Sequence, residues 1–246
     1  MTPRHAIAIL LLAPVLLRAQ DVQDPVRIAD EAHGIYDNDL LTPEFHRGRR
    51  EAIRAKLPVG GVAVFYASPV RNRSNDVDYE YHQDPNFYYL TGLTEPEALL
   101  FVFKEPRIIA GETSSELLVV QDRDPRTEVW NGRSTGPKDA EEVLGLRMAM
   151  GAHQFKNTDL PWKEGDVVFS HPVDGQGDDP HSSTGLVDLA KHLAEKGLQE
   201  GEVRTSDLRR WMAELRELKE KEELDLMRKA IEITCEAQME LMRKLE

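Results

Sequence analysis

The sequence predicts an α/β fold, a mixed sheet flanked by helices, and three observations carry that expectation. Short apolar, β-branched runs recur at strand length. Capped helical segments alternate with them. From Ser206 to Glu246 a pattern free of Gly and Pro reads as helix standing apart from the alternation.

In chain order, Arg4 and His5 precede an apolar run, Ala6 to Leu17, broken only by Pro14. Twelve residues fall short of a ~30 Å hydrocarbon core, and Arg18-Ala19-Gln20 before Asp21 has the form of a processing boundary. Residues 1–20 therefore read as a signal peptide, cleaved near Ala19 or Gln20, and the expected location is exported, periplasmic or secreted. An uncleaved anchor and a mis-assigned start codon are the alternatives. No Cys lies near the boundary, so nothing supports lipidation.

Residues 21–42 are polar and mixed. Thr42 is placed as an N-cap and Pro43 as the first helical residue, so a helix is expected from Pro43 to about Leu57, stopping before Pro58 and Gly60-Gly61. "VAVFYA", Val62 to Ala67, reads as a strand covered on both faces. "HQDPNFYYLTGLTEPEALLFVF", residues 82–103, reads as a turn and then the central strand, its aromatics mostly core. Further strands are expected over Leu99 to Phe103, Leu117 to Gln121 and Val167 to Ser170, and helices over Lys138 to Leu144 and Gly185 to Lys196. No internal repeat or long low-complexity tract is visible.

Ser206 opens the terminal helical pattern as an N-cap. Leu208, Trp211, Met212, Leu215 and Leu218 form one apolar stripe; Leu224, Met227, Ile231, Cys235 and Met239 form another. "KEKEE", Lys219 to Glu223, joins them and is polar all round, so the period permits one long helix or two. Glu246 follows no C-cap signal, as in a truncated chain or a helix continuing into something further on.

The full chain carries 31 basic and 44 acidic residues; without residues 1–20 the balance is 29 to 44, a formal charge of −15. That charge, with no Lys/Arg run against it, argues against nucleic acid and anionic membrane surfaces as partners. The single Cys, Cys235, excludes intramolecular disulfides, and its place among apolar helix positions predicts a buried, inert thiol.

Two groups invite a metal. Asp76, Asp78 and Glu80, at i, i+2 and i+4, share one face of an extended strand, as a metal-dependent nuclease would need, although a solvated polar face accounts for the same spacing. "HPVDGQGDDPH", His171 to His181, offers two His and three Asp in a stretch whose composition is that of a surface loop. G-x-S-x-G, H-E-x-x-H and P-loop patterns are absent. Trp130, in the turn-rich "TEVWNGRSTG", is either presented on a surface with Arg133 or packed in the core.

"RSNDVDYEYHQDPNFYYLTGLTEPEALLFVF", Arg73 to Phe103, resembles the amino-terminal domain of Xaa-Pro aminopeptidases (aminopeptidase P), in the creatinase/prolidase group of pita-bread metallohydrolases. The elements that carry the resemblance are Arg73-Ser74, Asp76, Tyr79-x-Tyr81-x-Gln83, Phe87-Tyr88-Tyr89, Thr91-Gly92 and Glu95-Pro96-Glu97-Ala98. It continues through "VVQDRDPRTEVWNGRSTGP" with the Glu-x-Trp-x-Gly-Arg motif around Trp130, and into "ELKEKEELDLMRKAIEIT", similar to the family's interdomain linker.

The resemblance implies three segments: a signal peptide over 1–20, the amino-terminal domain over 42–218, and over 219–246 a linker with the first helix of a truncated pita-bread catalytic domain. It implies two manganese ions held elsewhere by two Asp, one His and two Glu, none of which has a counterpart here, so neither metal nor a catalytic residue is expected on this chain. Implied partners are the chain's own carboxy-terminal catalytic domain, further copies in a homo-oligomer, and peptides with proline second. Trp130 is implied to line a neighbouring subunit's pocket, with Asp76 and Arg73 near the substrate's amino end. A free-standing binding or regulatory module that reuses the domain is the competing reading, and reading the coding DNA past Glu246 separates the two. Without its partner, the Leu224 to Met239 stripe is expected to lie exposed.

Overall fold

The computed structural model describes residues 41–159, 166–170 and 204–245. The expected signal peptide, the His171 to His181 loop and the Gly185 to Lys196 helix lie outside them.

Helix α1, Pro43–Lys56, starts as its sequence predicts: Thr42 Oγ1 accepts from Phe45 N at 3.2 Å and Pro43 holds the first turn. Strand β1, Gly61–Tyr66, follows, then a small hairpin of β2, Asn72–Ser74, and β3, Val77–Asp78. Helix α2 spans Pro85–Thr91, where a turn was expected. Asp84 caps it through Asn86 N and Phe87 N, Pro85 supplies the first turn, and Gly92 closes it, its N–H donating to Tyr88 O at 2.8 Å. β4, Leu99–Ile109, and β5, Glu112–Val120, form a long hairpin with a register shift between Val102 and Arg107. α3, Pro125–Asn131, is helix where the sequence reads as turn; α4 is Gly136–Glu142, β6 Ala149–Gly151, α5 Ala152–Lys156 and β7 Val167–Ser170.

The five-stranded sheet runs β6-β5-β4-β1-β7. β4 is its centre and pairs antiparallel with β1 and β5; β6 and β7 add parallel at the outside. The sheet is therefore mixed, as expected. Alternate residues feed two cores. Ala63, Phe65, Leu100, Val102, Leu118 and Val120 meet α1, α2 and the helix Thr205–Glu217 on one face; Val62, Val64, Phe101, Phe103, Leu117 and Val119 meet Phe155 of α5 on the other. Each buried Val, Leu or Phe among them contributes roughly 1.5–3 kcal/mol.

The first core also holds a charge. Arg50 and Glu116 are both fully buried, Nε to Oε2 at 3.0 Å. Arg50 also donates to Leu90 O and Gly145 O; Glu116 also accepts from Arg54 Nη2 at 3.1 Å and Arg147 N at 3.0 Å. α1, the α2 terminus, β5 and the segment before β6 thus meet on one ion pair.

The terminal pattern forms two helices, α6, Thr205–Glu217, and α7, Lys221–Lys244. α6 begins one residue before Ser206, with Arg204 at the cap position and no side-chain cap. Leu208 and Met212 are buried and Trp211 and Leu215 pack beside them, but Leu218 lies past the helix end, 79% exposed. α7 buries no residue; Leu224, Met227, Ile231 and Met239 all face outward. Cys235 is exposed, against the expected buried thiol, because helical spacing selects a face without supplying anything to cover it. No described helix is long and apolar enough to cross a membrane.

Candidate functional site

β1, β5, β6 and β7 all end at one edge of the sheet, where β4 begins, as the pairings Tyr66↔Leu99, Val64↔Ser170, Leu99↔Val119 and Val120↔Gly151 show. The chain leaves that edge to make the β2–β3 hairpin after β1 and α3 after β5. Both segments carry predicted site residues.

Arg73 and Asp76 share the hairpin, and both are exposed. Its shape is held by a third residue: Asn72 Nδ2 donates to Asn75 O and Asp78 Oδ1, each at 3.0 Å. The strand on which Asp76, Asp78 and Glu80 were to share a face is only Val77–Asp78, so that alignment does not form. Among the described residues no three His, Cys, Asp or Glu side chains converge on a point that would hold a metal ion. These residues do not fit a dimanganese centre.

Trp130 stands on α3, 87% exposed beside Val129 at 78%, so the hairpin does not cover it. Of the two readings of Trp130, surface presentation is the one observed. A seven-residue helix has little stability of its own, and polar ties hold this one in place. Asp124 Oδ1 caps it through Arg126 N, and Arg123 grips Glu128 bidentately at 2.8 and 2.9 Å. The hydrogen bonds from Arg123, with one from Ser134 N, hold the Glu128 carboxyl below the usual carboxylate range against its desolvation. Beyond α3, Thr135 N and Oγ1 both donate to Glu95 Oε1, the former at 2.7 Å, and Arg133 pairs with Asp139 at 2.7 Å. Gly136 lets Arg123 lie close, since a Cβ there would stand 2.7 Å from Arg123 Cγ.

Between hairpin and helix, Gln83 joins two loops. Its Oε1 accepts from Ser68 N and Asp84 N, both at 2.9 Å, and its Nε2 donates to Leu93 O at 3.3 Å and Glu95 O at 2.7 Å. Tyr81 adds a donor to Ser68 O at 3.1 Å; burial first, then Asp84 and Glu97, push its phenol well up, so the hydroxyl stays protonated. A cleft of about 770 Å³ opens here, lined by Ser68, Arg71, Tyr79, Glu80, His82 and Asp84 among others. Gln83→Ala is expected to cost about 2–6 kcal/mol in urea unfolding, since four bonds each contribute roughly 0.5–1.5. Gln83→Glu should cost at least as much, because a carboxylate faces two carbonyl oxygens; a neutral Gln83→Glu would refute the four-bond role.

The sequence motifs contain Gln83, Glu95 and Glu128 without disclosing these tasks. Glu128 lies five residues from Arg123, a readable local spacing, whereas Glu95 and Thr135 are 40 residues apart.

A family model described as "Aminopeptidase P, N-terminal domain" matches residues 46–161. The Escherichia coli Xaa-Pro aminopeptidase is 30% identical over 211 residues, covering 84% of this chain and 46% of that protein. The Schizosaccharomyces pombe intermediate cleaving peptidase 55 is 27% identical over 210 residues, covering 83% and 42%. Among solved structures, E. coli aminopeptidase P with the inhibitor Pro-Leu superposes with a TM-score of 0.60 at 28% identity, covering 80% of this chain and 44% of that one. Proline aminopeptidase P II from Yersinia pestis gives 0.60 at 30% identity with the same coverages. The chain spans less than half the length of the curated relatives with these broad matches.

Proposed function

Because residues 46–161 belong to the aminopeptidase P amino-terminal domain family, we propose that this chain is the non-catalytic, access-shaping part of an exported Xaa-Pro aminopeptidase. In this reading hydrolysis of the bond before proline belongs to a carboxy-terminal domain, where two metal ions, manganese by family resemblance, would supply an activated water. The present chain contributes surface. Several copies associate, and the edge carrying α3 and the β2–β3 hairpin of one faces the active-site mouth of another. Trp130 forms an apolar wall beside the substrate, and Asp76 lies where a free α-ammonium would seek a carboxylate.

The observation that supports this most directly is the exposure of Trp130, at 87%, on a helix too short to persist without its ion pairs. Holding an aromatic rigid and uncovered reduces the ordering cost of binding, which is useful only if something binds it. The test uses the enzyme that contains these residues and a peptide with proline second. Trp130→Ala should lower kcat/KM about 10- to 100-fold, the scale of a buried aromatic contact, with an unchanged melting temperature. Unaltered kinetics would remove Trp130 from the site. Light scattering that finds only monomers would remove the neighbour.

A further inference from the structure

Among the described residues no buried apolar contact sets the angle at which α7 leaves the domain, since α7 buries none of its residues. The joint before it, Leu218 to Glu220, has extended backbone at both ends. What grips this joint is polar. Arg49 of α1 reaches Glu220, Nη1 to Oε1 at 2.6 Å. The same guanidinium sits beside the Tyr89 hydroxyl and lies over the Phe45 ring, 5.4 Å from its centroid. Tyr89 Oη in turn donates to Leu215 O, in the last turn of α6, at 3.0 Å.

Glu220 also caps α7. Its N–H donates to Glu223 Oε2 at 2.9 Å while its side chain accepts from the Glu223 N–H, a reciprocal capping box. Lys219 Nζ closes the other helix, donating to Arg216 O at 2.6 Å and Glu217 O at 3.2 Å. One carboxylate is thus both the first cap of α7 and the counter-ion of α1. The Arg49 side chain is 16% exposed and Glu220 46%, so water and salt reach the pair and its grip is reversible.

We infer that Arg49 and Glu220 form an electrostatic latch that sets the direction in which α7 leaves the sheet domain, and so the placement of anything packed on α7. The latch stands independently of the proposed role of Trp130. Because the cap and the latch share a residue but use different partners, breaking Arg49 should free the direction of α7 without melting it.

Cys235 is the only cysteine of the chain and is exposed, so it takes a nitroxide label directly; a second label goes on Glu112→Cys, at the far end of the β4–β5 hairpin. Double electron–electron resonance on the full chain should give one dominant distance. Arg49→Ala and Glu220→Gln should each shift populations away from it by about two- to fivefold, the scale of a partly exposed ion pair. Arg49→Lys, which keeps the cation, should recover most of the original distribution, and helix content by circular dichroism should not change. Lys221→Ala, which removes an ion pair internal to α7, is the control. In the doubly labelled protein that keeps Arg49 and Glu220, raising salt from about 0.05 to about 1 M should broaden the distribution in the same way. An Arg49→Ala distribution equal to the original, equal broadening in Lys221→Ala, or no response to salt each overturns the latch.

Discussion

Glu116→Ala is expected to destabilise the protein by about 3–5 kcal/mol, the cost of leaving a buried guanidinium without its counter-ion. Both partners are fully buried, so water cannot take the place of the carboxylate. A Glu116→Leu/Arg50→Met pair should recover only part of that loss. An apolar pair of similar volume is often neutral where a buried ion pair stood, but here Arg50 also serves Leu90 O and Gly145 O. Each orphaned carbonyl costs about 1–3 kcal/mol. Urea unfolding of the two variants decides: a double variant as stable as the original would mean those carbonyls find other donors.

Acid reports the same pair. Burial alone would raise the Glu116 pKa, but the charge and hydrogen bond of Arg50, the Arg147 N–H and the charge of Arg54 outweigh it, so the folded value lies below the ordinary 4.5. A carboxyl depressed in the folded state contributes fully above its unfolded pKa and is lost as pH falls from there through the folded value. His46 also loses stability on acidification, beginning higher: burial, with the charge of Arg50, lowers its pKa from 6.5 despite the hydrogen bonds its ring makes to the backbone at Tyr89 and Leu41. Its contribution is complete above about 6.5 and falls below. Glu116→Ala should therefore flatten the stability profile below about 4.5 and leave the slope beginning near 6.5 intact.

Much of the framework was legible because its signals are local. Thr42, Pro43 and Pro58 bracket α1, and the apolar runs locate β1 and β7 to within a residue. β4 runs past its expected end at Phe103 because Lys104-Glu105-Pro106 breaks the apolar pattern while pairing continues beyond a bulge. β5 begins earlier than its apolar run because residues 112–116 are polar, Glu116 being buried only through partners far away in sequence. α2 and α3 share a legible grammar, Asp then Pro then a closing Gly, but seven residues are too few to show a helical period. For the candidate site, motifs named Trp130, Asp76 and Arg73; of the ties around Trp130, Arg123–Glu128 is a local spacing, whereas Glu95–Thr135 joins residues 40 apart. The misread exposure of Cys235 has the same origin, since period carries no information about a partner.

Gly92→Ala should cost about 2–5 kcal/mol, and His46 is the reason it exceeds an ordinary glycine replacement. Gly92 ends α2 in the left-handed region, φ 73°, where a Cβ alone costs roughly 1–2 kcal/mol. That Cβ would also stand 2.8 Å from His46 Nε2 and 2.9 Å from Cδ2. The ring has nowhere to go: it is 2% exposed, meets Phe45 and Tyr88 edge-on, and its Nδ1 is hydrogen-bonded to Tyr89 O at 3.0 Å. Such overpacking adds about 1–3 kcal/mol. The two contributions separate in a double-mutant cycle measured near pH 7.5, where His46 is neutral. In a His46→Ala background the steric part vanishes and only the backbone part remains, giving a coupling of about 1–3 kcal/mol between positions 46 and 92. Additive losses would assign the whole effect to the backbone and free the ring from any role in selecting glycine at the end of α2.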